Sequence, residues 1–199
     1  MKKILFVAIL LLSLTVCLTS PVWAGGLDDA KAGNTAYQEG NYDEAIKLCT
    51  KAIASGELSR EDLSKVYNNR GEAWDGKDDS DKAIADYTKA IELDPKFADA
   101  YLNRGLALAN KGAFDKAIVD FTKVIEIKPN YSRVYYYRGF SWGGKGEYDK
   151  AIVDYTKAIE LDPKFALAYK NRGHAWEKKG DSDKAIADYK KAVELHLEP

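Results

Sequence analysis

The sequence predicts an all-α protein, an α-solenoid of five tandem helix-turn-helix repeats. Residues 81–98 return almost unchanged at 149–166, with Ala85 against Val153 as the one difference. The two copies lie 68 residues apart, and a looser copy at 115–131 lies midway between them. A fixed period of about 34 residues is typical of stacked repeat architectures.

Small residues recur with the same period and mark the repeats. The first spacing is 38 residues and the others are 34. The glycines of this column are Gly33, Gly71, Gly105, Gly139 and Gly173. The predicted repeats are about 26–63, 64–97, 98–131, 132–165 and 166–199.

Each repeat reads as two helices, and the third repeat shows the pattern. Tyr101 and Leu108 lie on one helical face before a stop at Gly112, where glycine can adopt the left-handed cap conformation. A second amphipathic helix begins at Asp115 and ends before Pro129, because proline cannot continue a helix. Gly105 in the first helix and Ala117 in the second helix are small, which predicts a close approach of the two helices.

An aromatic residue, Gly, a bulky residue, Ala, Tyr or Phe, Ala and Pro at these offsets resemble the tetratricopeptide repeat. The resemblance covers essentially all of the chain after residue 24. It implies a concave groove, lined by the first helices, that holds an extended or helical peptide. The first copy departs most from the pattern, with Asp29, Ala36 and Cys49 at positions that are bulky or aromatic elsewhere. The second copy has Asp78 in place of the turn glycine.

Residues 1–24 predict a secretory signal peptide and therefore an exported chain, periplasmic or secreted. Two lysines precede an apolar run from Ile4 to Leu18, and small residues lead to a cleavage position after Ala24. The run has fifteen residues, which is short for a membrane span of about 20. A lipoprotein anchor through Cys17 is disfavoured because Val16 stands where a small residue is expected. After cleavage Cys49 is the one cysteine left, so no intramolecular disulfide can form.

Composition and motifs argue against several functions. The formal net charge is −1, so no basic face for nucleic acid is expected. The chain has two histidines and no CxxC, HExxH or phosphate-binding glycine loop, so we expect no catalysis, no cofactor and no metal site. Cys49 lies on a core stripe and is expected to be a buried apolar residue.

Arginine precedes the glycine of repeats two to five, and aspartate occupies one column of the second helix in the same repeats. The first repeat has Ala32 and Leu48 in these two columns, so both charges are missing together. We therefore expect an Arg–Asp pair inside each of the four repeats, and the alternative is that the arginines bind an anionic ligand. The pairs are Arg70 with Asp86, Arg104 with Asp120, Arg138 with Asp154, and Arg172 with Asp188.

The outward face of the first helices is the candidate partner-binding groove. Its middle is apolar and aromatic and its ends are polar, as expected for a hot spot with a polar rim. The alternative is that the apolar residues pack into the core. The candidate residues are Asn69, Leu102, Asn103, Leu106, Arg133, Tyr136, Phe140, Lys170 and His174. Gly143 and Gly144 would let a ligand backbone approach closely, or else they loosen the end of the helix.

Some members of the family clamp a partner's C-terminal carboxylate with Lys and Asn side chains. Asn34, Asn69, Asn103, Arg133 and Lys170 have suitable side chains, and the clamp is incomplete because Ala30 and Tyr137 replace two of its positions.

The last repeat presents Ile186, Tyr189 and Val193, which would receive a sixth repeat. We expect this edge to stay exposed or to be covered by a homodimer. The sequence thus predicts a non-catalytic adaptor or scaffold that binds a protein or peptide, with a self-associating assembly subunit as the alternative.

Overall fold

The structure is a computed structural model that describes residues 25–197, and most of these residues lie in helices. The predicted signal peptide, with Cys17, lies outside the described residues. The helices are α1 Gly25–Gln38, α2 Tyr42–Ala54, α3 Arg60–Asp75, α4 Ser80–Leu93, α5 Ala98–Asn110, α6 Phe114–Ile127, α7 Ser132–Gly144, α8 Tyr148–Leu161, α9 Ala166–Lys178 and α10 Ser182–Leu197. The predicted all-α solenoid of five helix pairs is confirmed.

The helices pair in chain order, because short turns make consecutive helices antiparallel neighbours. Each first helix also contacts the first helix of the next pair, from α1 through α9. The second helices, α2, α4, α6, α8 and α10, do not contact one another within residues 25–197. The stack is therefore closer together on the side of the first helices, and these form its inner face.

The glycine column is the place where the two helices of a pair touch. A Cβ atom on Gly105 would lie 2.7 Å from the ring of Phe121, which is fully buried. Gly71 meets the ring of Tyr87 in the same way at 2.6 Å. In the first repeat the sulfur of Cys49 takes the place of the ring, 2.8 Å from a Cβ on Gly33. The predicted close approach is confirmed, and burial raises the pKa of the Cys49 thiol to about 11.

The predicted Arg–Asp pairs form in all four repeats. In the third repeat Arg104 donates from Nε to Asp120 Oδ2 at 2.8 Å and from Nη2 to Oδ1 at 2.7 Å. Its Nη1 donates to Thr88 Oγ1 of the preceding repeat at 3.1 Å. The guanidinium also lies over the Tyr101 ring, 5.8 Å from its centroid. Each arginine therefore links the two helices of its own repeat to the repeat before it.

Turn residues end the helices as the sequence predicts. Asp78 has φ of 60°, the left-handed conformation that the other turns give to glycine. Asn41, Ser59 and Asp79 cap the helices that follow them by accepting a backbone N–H hydrogen bond. The caps satisfy backbone N–H groups that have no partner within the helix at its first turn.

Candidate functional site

The inner face changes character along the stack. One column of the first helices reads Glu72, Leu106, Phe140 and His174, each 34 residues after the last. The polar ends and the apolar middle therefore lie on one continuous surface, because all four residues occupy the same position of helices that contact one another.

A polar cluster occupies the inner face between α3 and α5. Asn103 donates from Nδ2 to Asn68 Oδ1 at 3.2 Å and to Glu72 Oε1 at 2.9 Å. Asn68 also donates to Glu72 Oε1 at 3.2 Å. Burial raises the pKa of Glu72, and the two asparagine hydrogen bonds oppose the shift without cancelling it. This cluster holds Asn103 in internal contacts.

The apolar residues among the groove candidates are divided between core and surface. Leu102 and Leu106 are half-buried and pack against the hydrophobic cluster around Phe121. Tyr136 is half-buried, and its ring centroid lies 5.0 Å from that of Phe165. Its hydroxyl accepts a hydrogen bond from Asn171 Nδ2 at 2.9 Å, while burial raises its pKa.

A cavity of about 240 Å³ opens beside Phe140, between α7 and α9. Phe140 is 48% exposed. The side chains of α8 form the floor of the cavity, and the two first helices form its walls. Its lining includes Phe140, Gly143, Tyr148, Tyr155, Asn171 and His174.

The two glycines at the end of α7 have different environments. A Cβ on Gly144 would lie 2.5 Å from Cζ of Phe114, so this glycine accommodates the ring of the preceding repeat. A Cβ on Gly143 would meet nothing closer than the Tyr155 hydroxyl at 3.8 Å and Ala151 Cβ at 4.0 Å. Packing therefore explains Gly144, whereas Gly143 borders open space.

The tyrosine hydroxyls of the second helices have different partners in different repeats. Tyr87 donates to Asp75 Oδ2 at 2.9 Å, and Tyr189 donates to Glu177 Oε2 at 2.9 Å. In the fourth repeat Gly143 occupies the position of these acids. Burial is the main cause that raises the pKa of Tyr155, and neither side chain nor backbone of residues 25–197 accepts a hydrogen bond from its hydroxyl.

The remaining predicted groove residues are spread along the inner face. Asn69 lines a second cavity of about 310 Å³ with Asn34 and Phe97, near the first repeat. Arg133, Lys170 and His174 are exposed. Of the predicted site residues, the cavity beside α7 brings together Phe140 and His174.

The predicted edge is partly open. Ile186 is 51% exposed and Val193 is 58% exposed on α10. Tyr189 is half-buried, because its ring covers Gly173 and its hydroxyl bonds to Glu177.

Sequence reasoning missed Tyr155 and Asn171 as lining residues. Tyr155 occupies a core column, so the helical pattern placed it inside the protein. A signal was present in two repeat positions taken together. The second and fifth repeats combine a tyrosine with an acid, whereas the fourth combines Tyr155 with Gly143.

Neither a metal-binding group of side chains nor a membrane-spanning helix occurs among the described residues. Within residues 25–197 no group of three or more His, Cys, Asp or Glu side chains is placed to hold a metal ion. Among the same residues none of the helices is long and apolar enough to cross a membrane.

The stacked helix pairs and their inner face define a helical-repeat interaction module. Sequence models described as tetratricopeptide repeat match residues 31–62, 98–131 and 166–196, and one described as TPR repeat matches 77–112 and 145–180. The chain belongs to the tetratricopeptide repeat family.

Two human proteins match parts of the chain. The mitochondrial import receptor subunit TOM70 is 37% identical over 79 residues, which are 37% of this chain and 13% of that protein. DnaJ homolog subfamily C member 7 is 37% identical over 68 residues, which are 34% of this chain and 14% of that protein. The matches thus span a small part of the length of these relatives.

Solved structures share the whole solenoid. The crystal structure of MamA protein superposes with a TM-score of 0.80 and 28% sequence identity, and the match covers 87% of this chain and 92% of that chain. The similarity therefore extends over the stack of repeats as a unit.

Proposed function

We propose that this chain is a non-catalytic adaptor or scaffold that binds a peptide segment of a partner protein on the inner face of its first helices. The observation that carries the proposal is the cavity beside Phe140. An aromatic side chain that is 48% exposed stands next to an opening of about 240 Å³ between two first helices. Aromatic anchors within a polar rim are typical of protein-binding hot spots.

The rigidity of the stack supports the same proposal. Four bidentate Arg–Asp pairs join the two helices of each of repeats two to five. Each arginine also donates a hydrogen bond to a threonine of the preceding repeat. A surface that is already ordered loses little conformational entropy when a peptide binds, so more of the contact energy appears as affinity. The family membership and the human relative named as a receptor subunit agree with a role in recognising other proteins.

Selection from a phage-displayed peptide library on the full chain tests the proposal. We expect enriched peptides whose binding is lost in Phe140→Ala and retained in Val153→Ala. Val153 is 67% exposed on α8, a second helix outside the inner face, and provides a matched loss of exposed apolar surface. Enrichment of no peptide, or of peptides that depend on Val153 and ignore Phe140, would contradict the proposal.

A second candidate function is assembly through the last repeat. Ile186 and Val193 are more than half exposed and lie on one face of α10. A homodimer that buries this face would extend the solenoid core.

We also propose that the chain is exported and that nucleic acid is not its partner.

Processing of the N-terminus tests the export proposal. A native chain whose mass corresponds to a start at Gly25, recovered outside the cytoplasm, is the expected result. An intact N-terminus in the cytoplasmic fraction would contradict it.

A further inference from the structure

Three second helices carry a tyrosine at the same position: Tyr87, Tyr155 and Tyr189. Of these three, Tyr155 alone has a hydroxyl without an acceptor inside residues 25–197. Tyr87 and Tyr189 each bond to a carboxylate from the last turn of the first helix. Phe121 lacks the hydroxyl, and Ala109 stands where the acid would be. Donor and acceptor are therefore present together or absent together in the second, third and fifth repeats, and the fourth repeat breaks the rule.

The hydroxyl faces the cavity beside α7. Tyr155 is 3% exposed, yet every fully enclosed side-chain nitrogen or oxygen within residues 25–197 has a hydrogen-bond partner. The unpartnered Tyr155 oxygen therefore keeps an opening to the cavity, which it lines next to Gly143. The missing Gly143 side chain creates the space that a carboxylate fills in the second and fifth repeats.

The other polar groups around the cavity suit an anionic acceptor. Asn171 donates one of its two Nδ2 hydrogens to Tyr136, and the second hydrogen has no acceptor within the described chain. His174 and the hydroxyl of Tyr148 complete the polar lining, and no carboxylate belongs to it. The lining thus offers donors without a competing negative charge, and hydrogen bonds to ionised groups are the stronger ones.

We infer that this cavity takes the side-chain carboxylate of an Asp or Glu residue in the bound peptide, with the Tyr155 hydroxyl donating to it. The inference rests on the proposed function and adds the chemistry of one anchor. A side-chain carboxylate is favoured because Asp75 and Glu177 supply that group at the same place in two repeats. The volume of about 240 Å³ is several times the roughly 30 Å³ of a water molecule, so a side chain fits beside Phe140.

The binding experiment uses synthetic, C-terminally amidated forms of peptides selected on the full chain. We expect an acidic residue in them whose change to Gln or Asn weakens binding by about 10- to 100-fold. Tyr155→Phe should weaken the unchanged peptide by a similar factor and the Gln or Asn peptide no further. Tyr87→Phe is the matched control, because its hydroxyl already has an internal acceptor, and it should leave affinity unchanged.

A stability cycle tests the cavity without a partner. Gly143→Glu places a carboxylate where Glu177 stands in the fifth repeat, and Gly143→Gln matches it in shape and helix propensity. Gly143→Glu should melt about 2–4 °C above Gly143→Gln, and the difference should vanish in a Tyr155→Phe background. Equal melting temperatures in the wild-type background would overturn the inference.

The outcomes separate this inference from the function on which it rests. The inference would be overturned, and the proposed function kept, by peptides that require Phe140 but whose affinity changes neither with Tyr155→Phe nor with loss of their acidic residues. Binding that needs a free C-terminus in place of an acidic side chain would also overturn it. Failure to select any Phe140-dependent peptide would overturn both.

Discussion

Arg104 and Asp120 form a two-pronged hydrogen-bonded pair across the helices of the third repeat, with distances of 2.8 and 2.7 Å. The Asp120 side chain is 2% exposed and that of Arg104 is 20% exposed. Removing the arginine alone would leave a buried carboxylate without its counter-ion, which costs far more than the intact pair contributes.

We expect Arg104→Ala to lower the free energy of unfolding by about 3–5 kcal/mol. The double variant Arg104→Ala with Asp120→Leu should recover most of this loss, because the first repeat has Ala32 and Leu48 in these columns and folds in the same way. Urea denaturation of Arg104→Ala, Asp120→Leu and the double variant measures the coupling energy between the two residues. Additive losses would show that the pair does not act as a unit.

Two glycines should respond in opposite directions to the same substitution. Gly105→Ala should destabilise the protein by about 1–3 kcal/mol, because the new Cβ would lie 2.7 Å from the fully buried Phe121 ring. Gly143→Ala should stabilise it by about 0.5–1 kcal/mol, because alanine favours the helix and its Cβ finds ordinary contacts. Thermal denaturation checks both, and a loss in Gly143→Ala would contradict the open environment described for it.

Two tyrosine hydroxyls should differ in what they contribute to stability. Tyr87→Phe removes the donor to the half-buried Asp75, so we expect a loss of about 1.5–3 kcal/mol. Tyr155→Phe removes a hydroxyl without an acceptor inside residues 25–197, so the free energy of unfolding should stay within about 0.5 kcal/mol of wild type. Chemical denaturation of the two variants side by side makes the comparison, and equal losses would refute it.

Glu72 should make the protein less stable at neutral pH than a neutral side chain would. Burial raises its pKa above the ordinary value of a glutamate, so the folded state binds the proton more tightly than the unfolded state does. Stability from this group is therefore lost as the pH rises through the raised pKa. Glu72→Gln should exceed wild type in stability at pH 7 and match it below about pH 4, because the Gln oxygen still accepts from Asn68 and Asn103.

Urea denaturation at the two pH values measures this difference. Glu39→Gln is the control, because it makes the same chemical change at an exposed position. If Glu72→Gln exceeds wild type in stability by the same amount at pH 4 as at pH 7, the difference comes from packing and not from ionisation of Glu72.

Self-association through α10 has its own test. If Ile186 and Val193 mediate a dimer, Ile186→Lys with Val193→Lys should convert it to a monomer, because lysine cannot be buried there unpaired. Tyr189 is left unchanged, because its ring packs on Gly173. Sedimentation at tens of micromolar, as an order of magnitude, measures the change. A wild-type chain that is already monomeric there would exclude this interface.

Much of the architecture could be read from periodicity. The sequence predicted the helix pairs, the close contact at Gly105 and the pairing of Arg104 with Asp120, because each of these patterns recurs at a fixed spacing. The contact from Arg104 to Thr88 was not predicted, since it joins two repeats and nothing in a single repeat reports it. The candidate groove was predicted as a face, and Phe140 is the most exposed aromatic in its middle.

The sequence by itself determined the period, the helix pairs and the charge pairs, because these depend on local spacing that every repeat copies. Only the tertiary structure decided which side chains of the inner face are exposed. Leu102 and Tyr136 are drawn into packing between repeats, whereas Gly143 leaves Tyr155 open to a cavity. The physical reason is that exposure depends on which neighbour fills the space in front of a residue, and that neighbour lies on another helix.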